Sequence, residues 1–276
     1  MPNTTFSGKL AIIGGAGPGN RAGIMELWSP DSASELLPLL PSRPYPAAAR
    51  LSPASTNHSS GQLLLYSAHP CSGGQLCEAW SGDLLSRAAS LPPQPRLCPA
   101  LIAMEEAVFL LGGAGTQGNA RSVFVYRVGE DQWESAGRLP FPEPVNRRRI
   151  AALDERIYCW QSGLHVFDPS GAGWWRLEQR WGLEDLRPSC LGGFGGLLWA
   201  GLGDWAYRLD PREGSWGPVG RFNGREVGVL VGLGEKLWAL SGEREVEELE
   251  ERMGRWMGHH RRLSVPRAVA SAVVAL

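Results

Sequence analysis

Ala107–Trp133 reads AVFLLGGAGTQGNARSVFVYRVGEDQW, an apolar run closing on Gly112-Gly113, a small-residue loop, then a second run ending in Tyr126. A turn over Val128–Gln132 leads to Trp133. Two short β-rich runs separated by turn residues predict neighbouring antiparallel strands. The glycine pair lets the first strand turn without a Cβ clash. Tyr126 and Trp133 offer large apolar surfaces for burial against another layer. One such unit has too little core to stand alone.

The unit recurs. Phe167-Asp-Pro-Ser-Gly-Ala-Gly-Trp174 repeats the aromatic, turn and tryptophan at the offset of Tyr126 and Trp133. Leu209-Asp-Pro-Arg-Glu-Gly-Ser-Trp216 and Leu249-Glu-Glu-Arg-Met-Gly-Arg-Trp256 follow the same pattern. The four tryptophans therefore stand 41, 42 and 40 residues apart, a period that belongs to solenoids and propellers. The loop repeats too, with GGAGPGNRAG at Gly14–Gly23 mirroring GGAGTQGNAR at Gly112–Arg121.

On these residues the chain resembles the kelch family, whose motif is a strand closing on Gly-Gly, then a Tyr, then a Trp about seven residues on. The complete motif is present in Ala107–Trp133, and Gly14-Gly15 carries the glycine pair of the first unit. The pair becomes Ala200-Gly201 and Ser241-Gly242 in later units, while Trp28 and Trp80 hold the tyrosine position in the first two. The resemblance implies an all-β, six-bladed kelch β-propeller in one domain over residues 1–276. Blades are expected at about 47–91, 98–139, 150–177, 191–219 and 227–263. The remaining blade combines 9–40 with 264–276, because no innermost strand fits before Leu10. In that reading the C-terminal strand closes the ring and removes the exposed sheet edge.

Thirty-six glycines, 21 prolines and 12 tryptophans suit many short strands joined by tight turns. The 27 basic and 28 acidic residues nearly cancel, so net charge argues for neither nucleic acid nor a membrane surface as partner. No apolar segment approaches the roughly 20 residues of a spanning helix. MPNTTFSGKL lacks the basic start and apolar core of a signal peptide, and five scattered cysteines without a C-x-x-C pair suit reduced thiols. These features set the expected location in the cytoplasm, with the nucleus also open.

Along the chain, strands are expected at Leu10–Ile13, Ile24–Trp28, about Glu35–Leu39, Ala47–Leu51, Gln62–Ser67 and Leu76–Trp80. The charged stretch Glu243–Arg252 has a helix-like composition, but the repeat register sets a strand at Glu245–Leu249.

Catalytic chemistry finds little support. A nucleotide-binding glycine loop needs a helix directly behind it, and here another strand follows. His58, His69, His165, His259 and His260 show no metal-ligand spacing, and no Gly-x-Ser-x-Gly elbow occurs. Neither the copper site of galactose-oxidase-like propellers nor the iron-ligand spacing of kelch specifier proteins is recognisable. The expectation is a protein without enzymatic activity, cofactor or metal. Arg261-Arg262-Leu263-Ser264 fits a basophilic kinase site, a pattern that also arises by chance.

Arginine placement is the polar pattern with functional content. Arg21, Arg96, Arg121, Arg147, Arg149, Arg187, Arg225 and Arg267 fall in loops expected to open on one face of the propeller. Arginine's planar fork suits carboxylate or phosphate, although loop arginines also serve solubility. The partner expected is a protein bearing an acidic or phosphorylated segment. The resemblance further implies the substrate-recognition part of a cullin-type ubiquitin ligase, working with a BTB or F-box module. A mutarotase-like kelch enzyme and an actin-binding scaffold are the alternatives.

Overall fold

The structure is a computed structural model. It describes residues 10–14, 24–29, 35–38, 47–51, 62–68, 74–80, 86–104, 107–114, 121–127, 129–142, 144–171, 173–178, 187–222, 226–241, 245–250, 255–258 and 270–275. The N-terminal strands are β1 (Leu10–Gly14), β2 (Ile24–Trp28) and β3 (Glu35–Pro38). The next four are β4 (Ala47–Leu51), β5 (Gln62–Ala68), β6 (Gln75–Trp80) and β7 (Ser86–Ala88). They are followed by β8 (Ala100–Met104), β9 (Ala107–Leu111), β10 (Ser122–Arg127) and β11 (Gln132–Arg138). After a 3-10 turn at Arg147–Arg149 come β12 (Ile150–Leu153), β13 (Arg156–Trp160), β14 (Leu164–Asp168) and β15 (Gly173–Arg176). Then run β16 (Cys190–Phe194), β17 (Leu197–Leu202), β18 (Trp205–Asp210) and β19 (Ser215–Arg221). The last are β20 (Val227–Leu233), β21 (Lys236–Ser241), β22 (Glu245–Glu250), β23 (Arg255–Gly258) and β24 (Ala270–Ala275).

Five sheets are each built from four consecutive strands, β4–β7, β8–β11, β12–β15, β16–β19 and β20–β23. The remaining four-stranded sheet is a composite in the order β24-β1-β2-β3, with Leu10 opposite Ala275 and Ile13 opposite Ala272. The strands fall into two compact units, residues 1–147 with 269–276 and residues 148–268. The closed six-bladed ring expected from the repeat is corrected accordingly. The architecture is a β-propeller with five blades of consecutive strands, and the sixth sheet is not a blade of that kind. The expected pairing of the C-terminal strand with β1 is present, so the correction falls on the number of blades and not on that pairing.

The strand signals translate closely into structure. β2 and β4 coincide with the expected runs, and Glu245–Glu250 is a strand paired on both sides, not a helix. All four seven-residue pairs are direct cross-strand neighbours: Tyr126 with Trp133, Phe167 with Trp174, Leu209 with Trp216 and Leu249 with Trp256. Placing a turn of fixed length between the members makes them meet, as hairpin register requires.

Burial explains the composition of the strands. Val108–Leu111 of β9 and Val123–Tyr126 of β10 are buried at every position, as in strands covered on both faces. β11, the last of that sheet, is largely exposed. A core of Leu64, Tyr66, Cys77, Val108, Leu110 and Tyr126 joins the β4–β7 and β8–β11 sheets, with Trp133 packed against it. Trp216 reaches from β19 into the core of the β12–β15 sheet, its ring centre 6.1 Å from Trp160. Trp175 is also half-buried and packs against that cluster.

Within each unit the first strands stand side by side, β24 with β4 and β8 in one, β12 with β16 and β20 in the other. In the second unit the approach is so close that a Cβ at Gly193 would overlap the Ala152 carbonyl oxygen, and one at Gly192 would lie 2.7 Å from the Leu230 carbonyl oxygen. Any side chain there would push the sheets apart.

The composite sheet generates a stability test. Removing Ala270–Leu276 bares the edge of β1 and uncovers β4, so the truncated protein should melt at a lower temperature, less cooperatively, and aggregate. Calorimetry and light scattering check this, and an unchanged melt would show that β24 contributes nothing.

Candidate interaction site

The predicted arginines separate into distinct environments. Arg96 is fully buried in the segment joining β7 to β8. Its backbone N–H donates to the Tyr66 hydroxyl at 2.9 Å, and its Nη1 donates to the carbonyls of Gly112 (2.9 Å) and Ser122 (2.6 Å). The guanidinium lies 4.5 Å from the centre of the Phe124 ring, a cation–π distance. Nε and Nη2 are buried without a partner. Desolvation pulls this guanidinium down to about 10 and pushes the Tyr66 phenol up to about 12. Arg96 thus anchors the turn after β9. Gly112 and Gly113 have φ of 60° and 88° there, and a Cβ at Gly113 would meet Arg96, Leu97 and Pro99.

The same connector is gripped from both neighbouring sheets. Tyr66 donates to Gln75 Oε1 at 3.0 Å, and Gln75 Nε2 donates to the Pro92 carbonyl at 3.4 Å. Asp131 accepts from the Tyr126 hydroxyl (2.6 Å) and the Ser90 N–H (3.0 Å), while the Trp133 indole donates to the Ser90 carbonyl at 2.7 Å. The repeat tyrosine and tryptophan therefore position a loop as well as fill a core.

Arg121 also serves its own sheet, since Nε and Nη2 both donate to the Leu139 carbonyl at 3.1 and 3.0 Å. Arg147 and Arg149 are half-buried in the 3-10 turn leading into β12, and Nε of Arg149 is buried without a partner. Arg187 is exposed just before Pro188. Arg21, Arg225, Arg267 and Gly15 lie outside the described residues, as do the Gly15–Gly23 loop, His259, His260 and Ser264. Gly14 ends β1, and Trp256 lies on β23.

In the second unit several strand ends are stitched at one place. The Ser189 N–H donates to the Gly201 carbonyl at 2.8 Å, and its hydroxyl donates to the Val227 carbonyl at 2.5 Å. The Val227 N–H reaches the Gly203 carbonyl at 3.2 Å, and the Phe222 N–H reaches that of Asp204 at 2.8 Å. The starts of β16 and β20 and the end of β19 thus meet the turn between β17 and β18. Arg187 lies two residues ahead of Ser189 in the chain.

On the same turn, Arg221 binds Asp204 Oδ2 through Nε (3.0 Å) and Nη2 (2.5 Å), and its guanidinium carbon lies 5.4 Å from the Trp205 ring centre. Trp205 is 37% exposed, and Tyr207 lies 6.5 Å away. Sequence reasoning passed over this cluster. Its only signal was a tryptophan outside the repeat position, next to an acidic loop residue.

Among the described residues, no group of three or more His, Cys, Asp or Glu side chains gathers as metal ligands would, and no helix is long and apolar enough to cross a membrane. Burial pushes the thiols of Cys77 and Cys159 up to about 12, whereas Cys98 is exposed.

Two outcomes follow from these environments. Arg96→Met strands two backbone carbonyls in the core and should cost on the order of 2–4 kcal/mol in urea unfolding. Arg187→Met should stay within about 0.5 kcal/mol. Equal effects would contradict the burial difference. As to pH, a thiol pKa raised on folding gives stability that is full below the ordinary value of 9 and is lost as pH rises toward about 12. Tyr66 acts in the same sense from 10 upward, and Arg96, whose pKa is lowered, acts oppositely from about 10. Between pH 9 and 10 the thiols dominate, so stability should fall by roughly 1 kcal/mol per thiol. Urea midpoints at pH 8, 9 and 10 that do not move would refute this.

No known family model matches the chain, and no curated protein sequence matches it. A chain from the crystal structure of a nidogen/laminin complex is similar in fold, with a TM-score of 0.63 at 10% sequence identity. The match covers 97% of this chain and 98% of that one. At that identity the similarity speaks for the fold, a β-propeller, over nearly the whole sequence.

Proposed function

We propose that this chain is a protein-recognition module that takes an acidic or phosphorylated segment. The observation that carries this is the state of two arginines entering first strands of the second unit. Arg187 is exposed with no hydrogen bond or ion pair among the described residues, and Arg149 has a buried Nε without a partner. An exposed guanidinium with no partner of its own favours capture of a carboxylate or phosphate through charge-assisted hydrogen bonds. A fold neighbour drawn from a protein–protein complex is in keeping with this reading.

The kelch-like motif of Ala107–Trp133 supports a finer assignment as the recognition part of a cullin-type ubiquitin ligase acting in the cytoplasm or nucleus, without catalysis of its own. Its partners in that role are a protein with an acidic segment and a separate BTB or F-box module. Nucleic acid and membrane have no part in the reading.

The variant Arg149→Glu/Arg187→Glu should lose at least tenfold in capture of its acidic partner from lysate while melting like the parent protein. Low salt should strengthen the parent's capture, since exposed charges are screened by ions. Mass spectrometry of the captured proteins tests the finer assignment, which requires a cullin complex. Undiminished capture by the folded variant would remove the arginines from the site.

A further inference from the structure

Trp205 stands out among the described tryptophans of the second unit. Trp160, Trp199, Trp216 and Trp238 are buried, but Trp205 keeps more than a third of its surface in solvent. Its neighbours nonetheless contact it closely. Trp205 is the cross-strand partner of Arg221, whose guanidinium stacks over the ring and is itself held by Asp204. Tyr207, next on the same face of β18, packs against the core cluster shared with the β12–β15 sheet. Trp, Tyr and Arg are the residue types that dominate binding hot spots. Here they already hold contacts with one another, which lowers the side-chain freedom to be lost on binding.

Charge decides what kind of segment fits. Asp204 is already neutralised by Arg221. Cys190 pairs with Gly201 and the Ser189 N–H bonds the Gly201 carbonyl, and Arg187 lies two residues before Ser189 in the chain. An exposed indole therefore stands by a turn whose acid is spent, and an unpaired arginine lies two residues from the Ser189 end that is bonded to Gly201. We propose that Trp205, with Arg221 and Tyr207 behind it, anchors a large apolar side chain of the bound segment, set within a few residues of the carboxylate or phosphate that Arg187 takes. The inference rests on the acidic-segment reading above and adds the apolar half of the recognised motif.

The test is selection of a displayed random-peptide library on the full chain, followed by fluorescence-polarisation titration of the enriched peptides. The parent protein should enrich peptides in which Asp or Glu lies close to Leu, Phe or Trp. Trp205→Ala should weaken such a peptide at least tenfold, and Trp205→Phe should recover part of the loss. The same Trp205→Ala change should have less than a twofold effect on the peptide whose apolar residue is replaced by Gly. Parent-like melting of both variants confirms that binding, and not folding, is being read. Acidic peptides that bind Trp205→Ala as tightly as the parent would overturn the anchor and leave the acidic reading standing. Enrichment without acidic residues would overturn both.

Discussion

An indole held seven residues from its cross-strand partner is the contact on which the rest of the structure depends. Trp133 packs at 5.1 Å from Tyr126, and Trp174 at 5.0 Å from Phe167. Because side chains alternate across a strand, a slip of one residue would turn each tryptophan to the opposite face. The pair thus fixes the register of the last hairpin in a sheet and the face that meets the next sheet. Trp216 shows the second consequence, since its ring enters the core beneath Trp160 of the neighbouring sheet. Register and sheet stacking are two results of one contact.

That dependence explains what was legible in the sequence. A seven-residue offset repeated at intervals near forty reports hairpin and sheet together, so strand positions, the strand at Glu245–Glu250 and the pairing of the two chain ends could all be read. The packing of first strands could not. Gly192 and Gly193 look like flexible residues in a sequence, yet they mark where carbonyls of two neighbouring sheets leave no room for a Cβ. The grouping of the sheets into two compact units has no local signal either. It arises from contacts between elements, which periodicity along one strand does not encode.

The arginines show a different limit. Charge and loop position put Arg96, Arg121 and Arg187 in one class, but each has a different task. Arg96 satisfies two carbonyls inside a core, Arg121 clamps one carbonyl at a strand end, and Arg187 is left to solvent. Burial of a charge is tolerated only where fixed dipoles surround it. The glycine pair at Gly112-Gly113 creates such a place by turning its backbone beside Arg96, so the motif and the buried cation depend on each other. A composition count cannot separate such an arginine from one available to a partner.

Backbone bonds draw several strand ends together around Gly201–Asp204. Ser189, Val227 and Phe222 tie strands of two neighbouring sheets to one turn, mostly through backbone groups. A Cβ at Gly201 would run into Val227 and Cys190, which shows how tightly the ends are drawn together. Such a frame can hold an exposed indole and a stacked guanidinium in place without burying them. A flexible loop would have to be ordered by the partner at a cost in affinity. The backbone bonds that join the sheets thus also fix the strand ends from which the proposed anchor projects.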